Sequence, residues 1–386
     1  MAGSTPVVRA IHRRRFVLAA ALLSGCGGAE TLPAKLPAGA LPDSLFAALA
    51  ARVGEPGGYF DTDNLISNEA GYLKVMDALA ARGLEGGAYV GVGPDQNFSY
   101  IAQLRPALAF IVDIRRDNLL HRLLLKTLME EAPTRVEYLA ALHGRLPPPD
   151  PSGWDGRTVD EILDYVEGAP PMPDVEAHLV VAAEGDSRHG VALTEEERAT
   201  IRRFHRAFVD AGPALRFTSR GRPPRCWYYP TYRQLLAETD VDGDQVSYLA
   251  DEARYRVVRR LQLENRVIPA VGDLAGPRAL REIGTVLREF GLPLHAFYVS
   301  NVEFYLWRAG TMERWLENLR AVPAAADAVV IRSIFLRFGR THPSAVPGYY
   351  AAQSLQPVST PVAGGFTDYR DLVMRGVLPL TPAVRR

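Results

Sequence analysis

The sequence has only two cysteines, no excess of either charge, and no histidines paired at metal-ligand spacing. Cys26 and Cys226 give neither a disulfide framework nor a thiolate zinc site, and we predict no metal site. Lys plus Arg and Asp plus Glu each number 44, so the formal charge is zero. Domains that bind nucleic acid through its phosphates usually have a basic excess, so we predict no nucleic-acid partner. A length of 386 residues with 47% hydrophobic residues instead indicates a globular protein with a large core.

The N-terminus has the composition of an export signal. In "HRRRFVLAAALLSGCGG", three arginines precede an apolar run over 16–23 that is too short to span a membrane, and small residues follow. "RRRF" resembles the twin-arginine export signal, and "LSGC" resembles a bacterial lipobox, in which the cysteine is diacylated. We therefore expect residues 1–25 to be an export signal and Cys26 to be lipidated, anchoring the protein to the membrane surface on the periplasmic side. If the leader has no sorting role, we expect a cytoplasmic protein.

The rest of the chain alternates strand and helix patterns. Strands such as "ALAFIVDIR" are nearly all apolar, as expected for parallel strands covered on both faces, and helical patterns follow them. This rhythm predicts an α/β protein with a doubly wound, mostly parallel, Rossmann-like sheet and a mostly helical insertion. The predicted organisation is a tether at 26–57, the first half of the sheet domain at 58–144, a helical insertion or lid at 145–228, the second half at 229–340, and an irregular tail at 341–386.

Most of the predicted strands end in polar residues, and the first of these ends is rich in glycine. In open α/β sheets, ligands bind outside the carboxyl ends of the strands. In "YVGVGPDQN", Gly91 and Gly93 lack a Cβ, so the turn can lie flat against a ligand while the next helix points free N–H groups at it. Asp113 follows Gly93 by 20 residues, at the end of the next strand, where a carboxylate can accept hydrogen bonds from ribose hydroxyls. A tight turn followed by a helix-capping aspartate would have the same residues, so both interpretations stay open.

These segments resemble class I S-adenosylmethionine-dependent methyltransferases over roughly residues 85–120 and 265–340. The resemblance implies that the glycine turn passes the methionine part of the cofactor, that Asp113 holds the ribose, and that Asp273 in "VGD" contacts the adenine amine. It also implies that polar residues at the end of the fourth strand face the substrate. The predicted cofactor-binding residues, with polar neighbours in the same turns, are Gly91, Gly93, Asp95, Asn97, Asp113, Arg115 and Asp273.

The segment "YFDTDNLISNE" is a candidate for substrate contacts. It supplies Asp61, Asn64 and Glu69 just before an amphipathic helix predicted over 69–82. The segment is either a polar flap over the glycine turn or ordinary helix capping.

The fourth strand is predicted to continue into "SNVEFY". We expect Ser300 and Asn301 to contact substrate. Glu303 and Tyr305 would share one face of such a strand, and we predict that they act as catalytic base or acid. Alternatively, Glu303 forms a structural pair with Arg332 of the neighbouring strand.

Two functions follow from these residues. The first is an S-adenosylmethionine-dependent, methyltransferase-like protein that binds a small adenosyl ligand at the carboxyl edge of the sheet. The second is a non-catalytic exported lipoprotein that keeps the fold as a ligand-binding module. The strings "GGYFDTDNLISNE", "VGDLAGPRAL" and "FYVSNVEFYL" also resemble a family of bacterial exported or methyltransferase-like proteins over most of residues 57–340, which brings no established reaction.

Overall fold

A six-stranded sheet forms the centre of the protein in a computed structural model that describes residues 33, 35–184, 189–219, 229–336 and 341–380. The strands are β1 Ala88–Val92, β2 Leu108–Asp113, β3 Val267–Val271, β4 Leu294–Ser300, β5 Ala324–Phe335 and β6 Ala351–Pro357. Their order is β3-β2-β1-β4-β5-β6, with β6 antiparallel to β5 and the other pairs parallel. This order is that of a doubly wound sheet, so the predicted α/β, mostly parallel, Rossmann-like fold is confirmed. The predicted export signal, Cys26 and Cys226 lie outside the described residues.

Helices connect the strands and surround the sheet. In chain order they are α1 Asp43–Val53, α2 Met76–Ala80, α3 Gln96–Leu104, α4 Arg116–Glu131, α5 Arg135–Leu142, α6 Val159–Gly168, α7 Val175–Glu184, α8 Glu195–Ala211, α9 Tyr232–Leu236, α10 Glu252–Leu263, α11 Ala279–Phe290, α12 Val302–Arg308, α13 Met312–Arg320, α14 Ser359–Ala363 and α15 Tyr369–Met374. A 3₁₀ turn over Tyr72–Val75 leads directly into α2. No helix in the described part of the chain combines the length and the apolar character needed to cross a membrane.

Strands β1 and β3 have no solvent-exposed face. Every residue of β1 and β3 is buried, as expected of parallel strands that helices cover on both faces. Helix α10 packs against α3 and α4, while α11 packs against α1 and α13. The apolar runs of the sequence thus form one core around the sheet.

The chain changes direction across the sheet at β1. From β1 it moves through β2 to β3, and it then returns to β4 on the other side of β1. The connections that follow β1 and β4 therefore diverge at the carboxyl ends of these strands. In doubly wound sheets this divergence opens a crevice that binds ligands.

The predicted helical insertion at 145–228 is mostly helical in its described part, which contains α6, α7 and α8. Capping boxes begin two of these helices: Thr158 and Glu161 cap α6, and Thr194 and Glu197 cap α8. Helix α8 packs against α4 and α7, so this segment rests on the helices that follow β2.

The prediction of an irregular tail at 341–386 is wrong for strand β6 and for helices α14 and α15. Strand β6 pairs with β5 along its whole length. On the other side of β6, the backbone N–H of Leu378 donates to the carbonyl of Leu355 at 2.9 Å. Several buried residues of β6 are polar, so the strand lacks the apolar alternation by which a sequence pattern is detected.

Two boundaries near the N-terminus also differ from the prediction. The end of the predicted tether is α1, which matches the helix that the pattern "DSLFAALAARV" predicts. Its Phe46 and Leu49 are buried in the core, so the folded region begins before residue 58. The helix predicted over 69–82 is limited to the 3₁₀ turn and α2, because Gly71 with a φ of 80° interrupts the helical backbone.

Candidate ligand-binding site

A cavity of about 320 Å³ lies outside the carboxyl ends of β1, β2 and β4. Its wall combines the turn after β1, the end of β2, the loop after β3, the start of α12 and the segment before the 3₁₀ turn. The predicted site residues that line the cavity are Asp61, Asn64, Glu69, Gly93, Asp113, Asp273, Ser300, Asn301 and Tyr305. The predicted site residues that do not line it are Gly91, Asp95, Asn97, Arg115 and Glu303.

Buried side chains hold the backbone of the turn after β1. Gly93 lines the cavity with a φ of 83°, a conformation that favours glycine. The Asn97 side chain donates through Nδ2 to the carbonyls of Val92 at 2.9 Å and Pro94 at 2.7 Å. The buried Arg122 guanidinium donates to the carbonyl of Gly93. Asn97 therefore supports the turn without facing the cavity.

Gly91 makes room for a contact between β1 and α3. A Cβ at this position would lie 1.9 Å from Oδ1 of Asn97. That oxygen accepts a hydrogen bond from the Tyr89 hydroxyl at 2.8 Å. The absence of a side chain at Gly91 thus allows this contact inside the protein. The prediction that Gly91 lies flat against a ligand is not met by this arrangement.

Asp95 is also a buried supporting residue. Its Oδ2 accepts hydrogen bonds from the hydroxyls of Tyr232 at 2.7 Å and Tyr248 at 2.9 Å. Burial raises the pKa of the Asp95 carboxyl, and the tyrosine hydrogen bonds and the Arg122 charge oppose that shift. Asp95 thereby ties the start of α3 to the segment around α9 and α10.

Asp113 ends β2 at the border of the cavity. Its Oδ1 accepts from the backbone N–H of Arg115 at 2.9 Å, and its Oδ2 lies 3.5 Å from Nδ2 of Asn64. Burial raises the pKa of the Asp113 carboxyl, and the neighbouring Arg115 guanidinium opposes that shift. The Arg115 side chain donates to the carbonyl of Thr62 and so fixes the segment that carries Asp61 and Asn64.

Asp273 lies in the loop after β3. Its Oδ1 accepts from the backbone N–H of Ala275 at 2.9 Å, which holds the carboxylate in a tight turn. A Cβ at Gly272 would lie 2.3 Å from the Cβ of Ala279, so this glycine allows α11 to begin close to the end of β3. Asp113 and Asp273, distant in sequence, therefore border the same cavity.

A buried carboxylate forms the inner end of the site. Glu69 accepts hydrogen bonds from the hydroxyls of Tyr298, Ser300 and Ser333, and Gln353 donates to Ser333 behind them. Burial raises the pKa of Glu69, and these hydroxyl hydrogen bonds oppose the shift. Glu69 thus joins the segment before the 3₁₀ turn to β4 and β5 at the cavity wall.

Strand β4 ends at Ser300, so the prediction of a strand through "SNVEFY" is wrong. Ser300 has a φ of 52°, which breaks the extended backbone, and α12 follows. Glu303 is buried and pairs with Arg332, whose Nη2 donates to Oε1 at 3.0 Å, as the structural alternative predicted. Tyr305 lines the cavity and packs edge-to-face on Phe60, with ring centroids 5.3 Å apart.

Sequence patterns did not indicate Gln96 as a site residue. Gln96 lines the cavity, and its Nε2 donates to the Tyr298 hydroxyl at 3.1 Å. Its Oε1 is buried and has no hydrogen-bond partner in the described part of the chain. Its position directly after the glycine turn could have indicated that Gln96 lines the cavity. Tyr298 and Ser333 carry no comparable signal, because their roles depend on contacts across the sheet.

The cavity has an acidic lining. Its charged side chains in the described residues are the carboxylates of Asp61, Glu69, Asp113 and Asp273, and no Lys, Arg or His of those residues lines it. The rest of the wall is largely apolar or uncharged, with the aromatic residues Phe60, Phe217, Tyr229 and Tyr305. These carboxylates favour positive or neutral groups of a ligand over phosphate groups beside them.

Comparison with known proteins identifies a family but no reaction. A search of curated proteins finds no match. The family described as "Domain of unknown function (DUF7790)" matches residues 65–145 and 192–363, about two thirds of the chain. The matched segments contain all six strands and the cavity residues on β1, β2 and β4, whereas α6 and α7 lie between them. The chain therefore belongs to the family of proteins with this domain of unknown function (DUF7790).

Proposed function

We propose that the protein binds an adenosyl ligand in the cavity at the carboxyl edge of the sheet and acts as an S-adenosylmethionine-dependent, methyltransferase-like protein. The observation that carries this proposal is the meeting of Gly93, Asp113 and Asp273 at one cavity. A glycine turn, a carboxylate ending β2 and a second carboxylate after β3 are suited to the methionine part, the ribose and the adenine of such a ligand.

The charge of the lining supports a sulfonium ligand in particular. S-adenosylmethionine has a fixed positive charge on sulfur, which the acidic wall favours. Nucleoside triphosphates and dinucleotides have phosphate groups, which the carboxylates of the described wall would repel. Methyl transfer requires chiefly the alignment of acceptor and sulfonium, so it needs few catalytic residues.

Isothermal titration against a matched set of ligands tests the proposal. We expect 1:1 binding of S-adenosylmethionine, weaker binding of the uncharged thioether S-adenosylhomocysteine, and no binding of ATP or NAD. Asp113→Asn should weaken the binding of both adenosyl ligands by roughly 10- to 100-fold, since a hydrogen bond to a charged group contributes about 1.5–3 kcal/mol.

Glu195→Gln provides the control, because Glu195 is an exposed acid at the start of α8. This variant should bind as the wild type does. Unchanged affinity in Asp113→Asn would remove the ribose assignment. Absence of binding at millimolar concentrations of both adenosyl ligands would remove the proposal itself.

The ion pair between Glu303 and Arg332 favours a second candidate, a non-catalytic binding module on the same fold. It occupies one of the two residues expected to act as acid or base. The two candidates differ in turnover. A transferase converts S-adenosylmethionine to S-adenosylhomocysteine when a cell extract supplies acceptors, whereas a binding module leaves the ratio of the two unchanged.

A further inference from the structure

We infer that the inner wall of the cavity, formed by Glu69, Ser300 and Gln96, is an ammonium-binding subsite for an alkyl amine. All three residues line the cavity. The inference depends on three features of this wall. They are the hydroxyl hydrogens that already form hydrogen bonds within the protein, the unpartnered side-chain carbonyl oxygen of Gln96, and the negative charge of the lining.

The hydroxyl hydrogens at this wall all point to Glu69. Tyr298, Ser300 and Ser333 each donate their single hydroxyl hydrogen to its carboxylate. The Ser300 oxygen can then only accept a hydrogen bond from a ligand. The same donors favour the ionised form of Glu69, whereas burial raises the pKa of its carboxyl.

Gln96 supplies a second acceptor, and it is connected to Ser300 through the hydrogen bonds of Tyr298 and Glu69. Its Nε2 donates to the Tyr298 hydroxyl, whose own hydrogen is used on Glu69, and this fixes the orientation of the Gln96 amide. The Oε1 atom is left buried and unpartnered among the described residues, and only 4% of Gln96 is exposed. A buried acceptor without a partner is costly, so a ligand that donates to Oε1 gains the hydrogen bond and removes that cost.

A primary ammonium group matches this arrangement. It has three hydrogens and a positive charge, so it can donate to Ser300 and Gln96 while lying beside the Glu69 carboxylate. A hydroxyl has one hydrogen and cannot satisfy both acceptors, and a carboxylate would meet acceptors and negative charge. The rings of Phe60 and Tyr305 add apolar surface that suits the carbon chain of an amine.

As a methyl acceptor, a role that rests on the proposed function, the amine first loses a proton. That proton passes to the Ser300 oxygen as the Ser300 proton passes to Glu69. The neutral nitrogen then attacks the methyl carbon of the sulfonium, the carbon–sulfur bonding pair stays on sulfur, and the products are a thioether and a methylated ammonium. Binding of the amine itself does not depend on this step.

Three probes of the same shape test the subsite: phenethylamine, 2-phenylethanol and phenylacetate. Their dissociation constants for the full-length protein can be measured by ligand-observed NMR, with and without saturating S-adenosylhomocysteine. We expect the amine to bind at least tenfold more tightly than the alcohol and the carboxylate not to bind. Equal binding of all three probes, or no binding of the amine at 10 mM, would overturn the inference.

Three variants locate the effect. Glu69→Gln should weaken amine binding about tenfold or more, because the ammonium group loses the attraction of the neighbouring negative charge. Gln96→Met removes only one hydrogen bond inside the protein, the one to Tyr298, and should weaken amine binding several-fold. Glu195→Gln removes a negative charge from an exposed residue that does not line the cavity, and it should change amine binding less than twofold. Unchanged amine affinity in both Glu69→Gln and Gln96→Met contradicts the subsite.

The failure of one proposal is distinguishable from the failure of the other. If the amine binds and S-adenosylhomocysteine does not, the subsite stands and the adenosyl proposal is lost. If S-adenosylhomocysteine binds and the amine does not, the adenosyl proposal stands and the subsite is lost.

Discussion

At the scale of single residues, several buried polar groups remain uncharged in the folded protein. His121 stacks on Phe208 with ring centroids 5.8 Å apart, and neither of its ring nitrogens has a hydrogen-bond partner in the described part of the chain. Burial lowers the pKa of His121 well below its ordinary value, that of His143 to about 4, and that of His205 to about 3. Each of these histidines is therefore neutral at pH 7 in the folded state.

The sign of their effect on stability follows from these shifts. An unfolded histidine binds a proton near pH 6.5, whereas the folded one does so only at a much lower pH. Their contribution to stability is complete above about pH 6.5 and is lost as the pH falls towards the folded pKa values near 3–4. The protein should consequently become less stable in mild acid.

His121→Leu tests this pH dependence. We expect the free energy of unfolding of the wild-type protein to fall between pH 7.5 and pH 5.0, and that of the variant to fall less. Each buried histidine contributes about 1.4 kcal/mol per pH unit below its unfolded pKa. Urea denaturation at both pH values measures the difference, with each protein at pH 7.5 as its own reference. Parallel pH curves for the two proteins would contradict the argument.

At the scale of elements, the segment after α1 connects β3 to α11. The backbone N–H of Glu55 donates to the carbonyl of Val271 at the end of β3, at 2.8 Å. The Glu55 carboxylate accepts from the backbone N–H groups of Arg278, at 2.9 Å, and Ala279. A negative charge at a helix N-terminus stabilises the helix, so Glu55 caps α11 from a distant part of the chain.

Two substitutions at Glu55 distinguish the contribution of its hydrogen bonds to stability from that of its charge. Glu55→Ala should lower the free energy of unfolding by about 1–2 kcal/mol, because two N–H groups lose their acceptor. Glu55→Gln keeps an acceptor oxygen and should lose only about 0.3–1 kcal/mol. Chemical denaturation of both variants measures the difference, and an equal loss would show that the charge alone acts there.

Elements with regular patterns could be predicted from the sequence, and elements with buried polar residues could not. The pattern after the glycine turn predicts a helix over about 96–104, and α3 spans these residues. Strand β2 ends at Asp113 as expected. Strand β6 was missed because Gln353, Ser354 and Gln356 are buried, with Gln356 donating to the carbonyl of Leu372 at 2.9 Å.

The same distinction applies to the site. Residues at strand ends, such as Gly93, Asp113 and Asp273, could be predicted because the sheet topology brings strand ends together. The side chains that meet at Glu69 come from β4 and β5, and a single sequence gives no sign that they converge. Asp95, Asn97 and Arg115 are near the site in sequence, but their side chains turn to buried partners.

At the scale of the whole molecule, the predicted N-terminal leader bears on where the protein resides. We propose export and lipidation at Cys26, which lies outside the described residues. A periplasmic protein would meet its ligand away from the cytoplasmic supply of S-adenosylmethionine. The twin-arginine resemblance suggests one route, because such signals carry proteins that have already folded and can hold a ligand.

Cell fractionation tests the anchor. The wild-type protein should appear in the membrane fraction, and Cys26→Ser should appear in the soluble fraction because the acyl chains are lost. Cys226→Ser is the matched control and should fractionate as the wild type does. Identical fractionation of Cys26→Ser and the wild type would remove the lipoprotein proposal.

The antiparallel strand at the end of the sheet has a consequence for association between copies of the protein. The outer side of β6 is a strand edge, and the bond from Leu378 to Leu355 occupies one of its backbone positions. A chain that lost its last ten residues, including Leu378, would leave that position open. Unpaired backbone groups at a strand edge can pair with strands of other molecules. The few residues after α15 therefore protect the β6 edge against pairing between copies of the protein.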